Sequence, residues 1–469
     1  MQRPKAGPRR RLAGLCAVVL LSACAGVQSE ASGGASPSAP MWPATPAVPT
    51  GPLDAGAADA LDRLVAAFAE GTQDRDALDV VANTGDARLG WILSDLLRFA
   101  APGTTMESAL GDAFVALTGT DPLADERFGP DRWLAATNLL IGWDLPAPPG
   151  YREHKAAIFL PIEPAWGPLF ADADSAIDWR WVSWGGVFID DRAVGDGRPC
   201  TRSCIPALDD PALTTAAEGD WYLDARPVFG IVVNDEAVAF PKHIMEVHEM
   251  VNLTVGGRRI GMPYCTLCGS AQAYLTDAVP AGIETPVLRT SGLLSRSNKV
   301  MYDLVTGSAF NTFTGRAVSG PLHDADLVLE QTTTVATTWG EWKAAHPGTR
   351  IVAQDGGIGR TYPDDPLGGR DVGGPIFPVG PIDPRLPAQA EVVGVIDPAG
   401  DAIAFPVEQA VAELDAGGAV AVGRVEAFAD AGGLRVRLIG GDELPAHESF
   451  WFAWSQFHPD TAVWTPVGR

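Results

Sequence analysis

The sequence predicts an α+β protein, with a small helical N-terminal domain followed by a larger, internally duplicated, predominantly β domain. Three observations carry that expectation. Between residues 53 and 150 apolar side chains recur at helical spacing, in Leu61, Leu64, Val65 and Phe68 and again in Leu93, Leu96, Leu97 and Phe99. Beyond about residue 150 the chain turns to short apolar runs rich in Trp and Gly and broken by Pro, the texture of strands and turns. Lastly, Gly230 to Pro241 is echoed by Gly394 to Pro406, each with two strand-like runs around a turn and an Ala-Phe-Pro ending before a helical stretch.

From the N-terminus, the first 11 residues carry five basic side chains and no acid, and Leu12 to Leu21 is an apolar run too short to span a membrane comfortably. This predicts a signal peptide over residues 1–23. The run closes on Leu21-Ser22-Ala23-Cys24, which resembles the lipobox of bacterial lipoproteins. Cys24 is then the lipidated first residue of a protein held at the cell surface or on the periplasmic side of the membrane, with ordinary cleavage or an uncleaved anchor as the rival reading. Residues 24–52, rich in Ala, Ser, Gly and Pro, read as a disordered tether. Losing the five leader cations takes the formal net charge from −24 to −29, which argues against nucleic acid as a partner. The membrane is the expected partner; a redox or protein partner is left unspecified.

The expected order is a helical domain over 53–150, a connecting segment over 151–224 and a β-rich domain over 225–469. Short antiparallel helices fit the first, with faint similarity to a HEAT-type array. The connector holds Cys200 and Cys204 in a Gly/Pro/Asp-rich loop, where an exported protein is expected to form a local disulfide. A zinc site built from these two and the next two cysteines is the alternative.

Cys265-Thr266-Leu267-Cys268, followed by Gly269-Ser270-Ala271, is the strongest chemical signal in the chain. Thiols two residues apart close as a disulfide or clamp a soft metal. Upstream stand His243, Met245, Glu246, His248, Glu249 and Met250. Counting through the repeat sets Glu408 and Glu413 opposite His243 and His248, and Asp430 and Gly433 opposite the thiols. What differs between the copies is not needed to build the scaffold, so these His and Cys residues are candidates for chemistry. In the redox reading Cys265 and Cys268 form a dithiol–disulfide couple, and His243 or His248 supplies the cation that stabilises a thiolate. In the metal reading His243, Met245, His248, Glu249, Cys265 and Cys268 hold copper or zinc; a helix over 243–252 would align Met245, His248, Glu249 and Asn252. A third reading is a non-catalytic binding or scaffold module, with the methionines in a core, the histidines hydrogen-bonded and the cysteines an inert staple. The Gly-rich stretches lack the Lys-Ser/Thr of a phosphate loop.

These residues also resemble a known family. Phe240 to Asn252, Pro263 to Ala271, Tyr302 to Ser308, Thr338 to Lys343 with His346-Pro347, and Phe450 to Trp454 resemble the bacterial and archaeal family known as domain of unknown function 3179, over roughly residues 225 to 465. A Pro is usual in that family where Thr266 stands. The resemblance implies no established activity; the selenocysteine of some members implies redox chemistry at the paired cysteines.

Overall fold

Side-chain caps start most of the helices that open the chain. Asp54, Asp74, Thr104 and Asp131 each accept a backbone N–H from the first turn of Ala55–Ala69, Arg75–Ala82, Thr105–Thr118 and Arg132–Gly142. Leu61, Leu64 and Val65 are buried on the first of these, as their spacing requires. The computed structural model describes residues 42–466. The expected signal peptide, Cys24 and the tether up to residue 41 lie outside the described residues; Pro43 and Gly51 rest on the helices, their carbonyls accepting from Trp143 Nε1 and Arg88 Nη1 at 2.9 Å each.

Helix continues past residue 150, contrary to the expected change of texture, through Tyr151–Phe159 and Gly167–Ala171. The reason is a buried polar pin that only the third dimension reveals. Asp95, on helix Gly90–Phe99, accepts from Lys155 Nζ at 2.6 Å and from Tyr151 Oη at 2.8 Å. Residues one helical turn apart thus satisfy one buried carboxylate. Nor does the helical region stand apart as a domain: Pro43–Arg469 forms one compact unit. Asn138 Oδ1 accepts from the N–H groups of Val379 and Gly380 at 2.8 Å each, and Trp166 Nε1 donates to Ser291 O at 2.8 Å.

The β region contains five small sheets among the described residues. Four of them make two matched pairs, so the duplication seen in the sequence runs much further than the Ala-Phe-Pro segments. In the first copy Val335–Thr338 pairs antiparallel with Pro227–Val233, which pairs antiparallel with Glu236–Pro241, which runs parallel to Arg350–Val352. In the second, Ala446–Phe450, Glu391–Ile396, Ala402–Pro406 and Ala462–Val463 repeat that order and those directions. Helices Lys242–His248 and Val407–Asp415 follow the equivalent strands.

The other pair of sheets matches as well. Met250–Val255, Arg258–Cys265, Ala273–Leu275 and Glu330–Thr332 form one antiparallel series; Val420–Val422, Val425–Asp430, Gly433–Leu438 and Glu443–Leu444 form the other. A shared motif completes each copy: Trp339-x-x-Trp342-x-x-x-His346-Pro347-x-Thr349 and Trp451-x-x-Trp454-x-x-x-His458-Pro459-x-Thr461. In both, the second Trp donates its indole N–H to the Thr hydroxyl at 2.9 Å, and the His ring lies 4.2 or 4.3 Å from the Trp ring. Gly230 and Gly394 face Trp342 and Trp454 respectively, leaving no room for a Cβ.

The copies differ by two insertions. Where the second copy turns from Asp430 to Gly433 through two residues, the first makes the excursion that carries Cys265 and Cys268. Between Leu275 and Glu330 it also adds the fifth sheet, built from Leu288–Ser295, Asn298–Asp303, Ala309–Asn311 and Arg316–Ala317, with Val182–Trp184 on its edge. The expected helix over 243–252 is corrected: Glu249 adopts φ +50°, the helix stops at His248, and Met250–Val255 is a strand. Asn252 therefore shares no helical face with His248; it lies in a run that strand pairing with Arg258–Cys265 overrides.

Candidate functional site

Cys265 ends a strand, and a single 3₁₀ turn, Thr266–Cys268, brings Cys268 back beside it. Gly269, at φ +59°, lets the chain reverse so that Ser270 pairs with Cys265 and Ala271 with Tyr264. Both thiols are free and buried. Each points at one carbonyl oxygen, that of Ser297, at 3.7 Å from Cys265 Sγ and 3.4 Å from Cys268 Sγ. Ser297 lies at the tip of the inserted hairpin, where Arg296 and Ser297 both hold left-handed backbone at φ +48° and +67°. The two residues form the tight turn that joins Ser295 to Asn298, as Asn234 and Asp235 do between Val233 and Glu236. Ser270 and Ser297 are both fully buried in this turn and hairpin tip.

The charge beside the thiols comes from Lys299. Its ammonium, buried in strand Asn298–Asp303, donates to Glu249 O at 2.6 Å and Tyr264 O at 2.9 Å and pairs with Glu249 Oε2 at 2.8 Å. Thr266 Oγ donates to the other carboxylate oxygen of Glu249 at 2.8 Å, so the residue between the thiols is tied to the end of helix Lys242–His248. A Pro at this position could not make that bond. Burial pushes both thiols up. For Cys265 the hydrogen bond from Cys268, together with the Lys299 ammonium and backbone N–H, outweighs burial and the Glu249 charge and brings it below the ordinary thiol value. Burial and the neighbouring Cys265 leave Cys268 well above that value. The pair is asymmetric: one sulfur favours the thiolate, the other keeps its proton.

The asymmetry has a spatial counterpart. Cys265 lines a cavity of about 420 Å³, and Cys268 does not. The cavity is walled by the inserted sheet at Leu293 and Leu294, by residues 353–390 between the two copies at Leu367 and Phe377, and by the floor of Glu249 and Lys299. Phe377 is held from behind by Trp133 of the helical region, with ring centres 5.9 Å apart.

The histidines expected to activate the thiols have other company. His248 uses both ring nitrogens elsewhere, 2.7 Å from Pro206 O and 2.8 Å from Tyr362 Oη. His243 stacks on Tyr222 at 5.3 Å and meets Trp221 and Tyr362 edgewise. Burial, reinforced by nearby arginines, lowers both to about 4, so neither supplies a cation near neutral pH. Met245 packs in the hydrophobic core. The six candidate ligands for copper or zinc do not converge: among the described residues the one group of three or more His, Cys, Asp or Glu ligand atoms is Asp190 with Cys200 and Cys204. Those two sulfurs are joined as a disulfide, as expected of their loop, and Asp190 pairs with Arg192 at 2.6 Å. Sequence reasoning missed Lys299. Its signal is a lone Lys in a strand whose every residue is buried, which becomes conspicuous only once the strand is known to be interior.

No curated protein and no solved structure matches the chain significantly. The family described as protein of unknown function (DUF3179) matches residues 202–439, starting earlier and stopping sooner than the span expected from the motifs. With the dithiol, Glu249 and Lys299 inside a match that covers just over half of its length, the chain belongs to this family.

Proposed function

We propose that the protein is a membrane-tethered thiol–disulfide oxidoreductase in which Cys265 attacks and Cys268 resolves. One observation carries the reading: a buried pair of thiols in which Cys265, lowered by the hydrogen bond from Cys268 and by Lys299, lines a cavity, while Cys268, raised by burial and by Cys265, does not. The fixed copy of the scaffold that lacks both thiols supports it too, because the excursion holding them is dispensable for building the sheets. Differential alkylation across a redox titration tests it. Cys265 and Cys268 are expected to interconvert between dithiol and disulfide while Cys200–Cys204 stays closed, and Cys268→Ser is expected to trap a mixed disulfide on Cys265. If the pair stays fully oxidised at every potential where the fold survives, the site is a staple.

Export and anchoring through Cys24 belong to the same proposal, supported by the basic leader, the apolar run and Leu-Ser-Ala-Cys. Mass spectrometry of the membrane fraction is expected to find a diacylglyceryl group that Cys24→Ala loses. Unchanged mass and membrane association in that variant would reject the anchor.

A further inference from the structure

Neither thiol meets solvent freely: Cys265 is 2% exposed and Cys268 0%. A disulfide on the surface of a folded protein has no route to Cys265 unless the walls part, whereas a slender molecule fits a cavity of about 420 Å³. The walls are apolar where Leu293, Leu294, Leu367 and Phe377 close in. Most of the charge lining the cavity is already matched. Lys299 pairs with Glu249, and Glu246 with Lys242 at 2.8 Å. Arg370, an exposed lining residue, differs: its guanidinium donates to Leu367 O at 3.0 Å and Pro366 O at 3.5 Å, and among the described residues no carboxylate pairs with it. In a chain of net charge −24 an arginine left without a carboxylate at the edge of an apolar cavity is a ready partner for an anionic ligand.

We infer that the substrate of this dithiol is a small disulfide with an apolar body and an anionic end held by Arg370, an inference that rests on the thiol redox reading above. The Cys265 thiolate attacks one sulfur of R–S–S–R′, forming Cys265–S–S–R and releasing R′–S⁻. Cys268 then gives its proton to the departing thiolate and attacks Cys265 Sγ, closing the protein disulfide as R–SH leaves. The substrate gains two electrons and, with one proton from solvent, becomes two thiols; the protein dithiol is oxidised.

The test mixes the reduced protein with three alkyl disulfides of similar length: 3,3′-dithiodipropionate (anionic), bis(2-hydroxyethyl) disulfide (neutral) and cystamine (cationic). Each rate of Cys265–Cys268 closure is divided by the rate of the same probe with a free cysteine peptide. The anionic probe should exceed the neutral one on the order of tenfold and the cationic one by more. Arg370→Gln should collapse that preference and Arg370→Lys should restore part of it, with circular dichroism confirming the fold of both. Oxidised thioredoxin, as a folded disulfide, should react slowest. Equal normalised rates across the charge series, a preference that survives Arg370→Gln, or fastest closure with thioredoxin would overturn the inference and leave the redox reading standing. Failure of every probe to close the dithiol would remove the redox reading and the inference together.

Discussion

At the scale of single residues, burial and the hydrogen bond from Cys268 act most strongly on Cys265, and two opposed charges beside it adjust the balance. Lys299 favours its thiolate and Glu249 opposes it, so their removal should act in opposite directions. Alkylation of the reduced protein followed against pH should shift to higher pH in Lys299→Gln, with a slowing on the order of tenfold at neutral pH, and to lower pH in Glu249→Gln. The same profile in His243→Gln and His248→Gln should be unchanged, because those rings bond to Pro206 and to the aromatic cluster rather than to the thiols. His248→Gln should instead lose about 1–3 kcal/mol of stability as the hydrogen bonds at Pro206 and Tyr362 are disturbed. A histidine variant that alone moved the alkylation profile would restore the histidine-activation model. The Cys-x-x-Cys spacing and Gly269 were legible in the sequence because their effect is local. Lys299 was not, because it reaches Cys265 only through strand pairing and insertion.

At the scale of elements, the Trp–His–Pro–Thr motif locks a helix onto the same four-strand arrangement twice, and each lock depends on a glycine that lets an indole lie on the sheet. Adding a methyl group at Gly394 must move Trp454 or the strand, at a cost of about 1–3 kcal/mol by overpacking. The reverse change, Trp454→Ala, should cost about 3–5 kcal/mol through the cavity it opens. Urea unfolding of both variants checks the pair; a neutral Gly394→Ala would show that the indole has slack. The repeated Ala-Phe-Pro segments were visible in the sequence. The equivalence of the two Trp motifs was not drawn from it, since a motif more than 100 residues from its twin gains meaning only when both are seen capping the same kind of sheet.

For the whole molecule, interlocking of the helical region with the β region makes stability depend on buried neutral imidazoles spread across the fold. Burial, with some help from nearby positive charge, lowers His243, His248 and His458 to about 4 and His447 to about 3, from an ordinary value of 6.5. A group depressed in the folded state takes its proton first in the unfolded state. The stabilisation is complete above about pH 6.5 and is lost as pH falls toward 4. Glu448, pushed up to about 8 by burial, pulls the other way, since its contribution is lost as pH rises. The four rings together should outweigh it, so the urea midpoint at pH 5 should lie below that at pH 7; ring signals of the folded protein that titrate near 6.5 would mean that these imidazoles are not held neutral. The helical region is part of one compact unit at this scale, because Asn138 and Trp133 bind the segment between the two copies at Val379, Gly380 and Phe377, and Trp166 binds the inserted sheet at Ser291.

Sequence alone determined the mixed α and β composition, the helical start, the local Cys200–Cys204 disulfide, the duplicated strand segments and the paired cysteines, since each depends on residues close together along the chain. Only the tertiary structure decided where the helices end, how far the duplication extends, and which cation attends the thiols. Those depend on contacts across tens to hundreds of residues: Asp95 with Lys155, Gly394 with Trp454, and Lys299 with Glu249 and Cys265. Periodicity carries no information about such pairings, because a buried charge is tolerated only when its partner arrives from elsewhere in the fold.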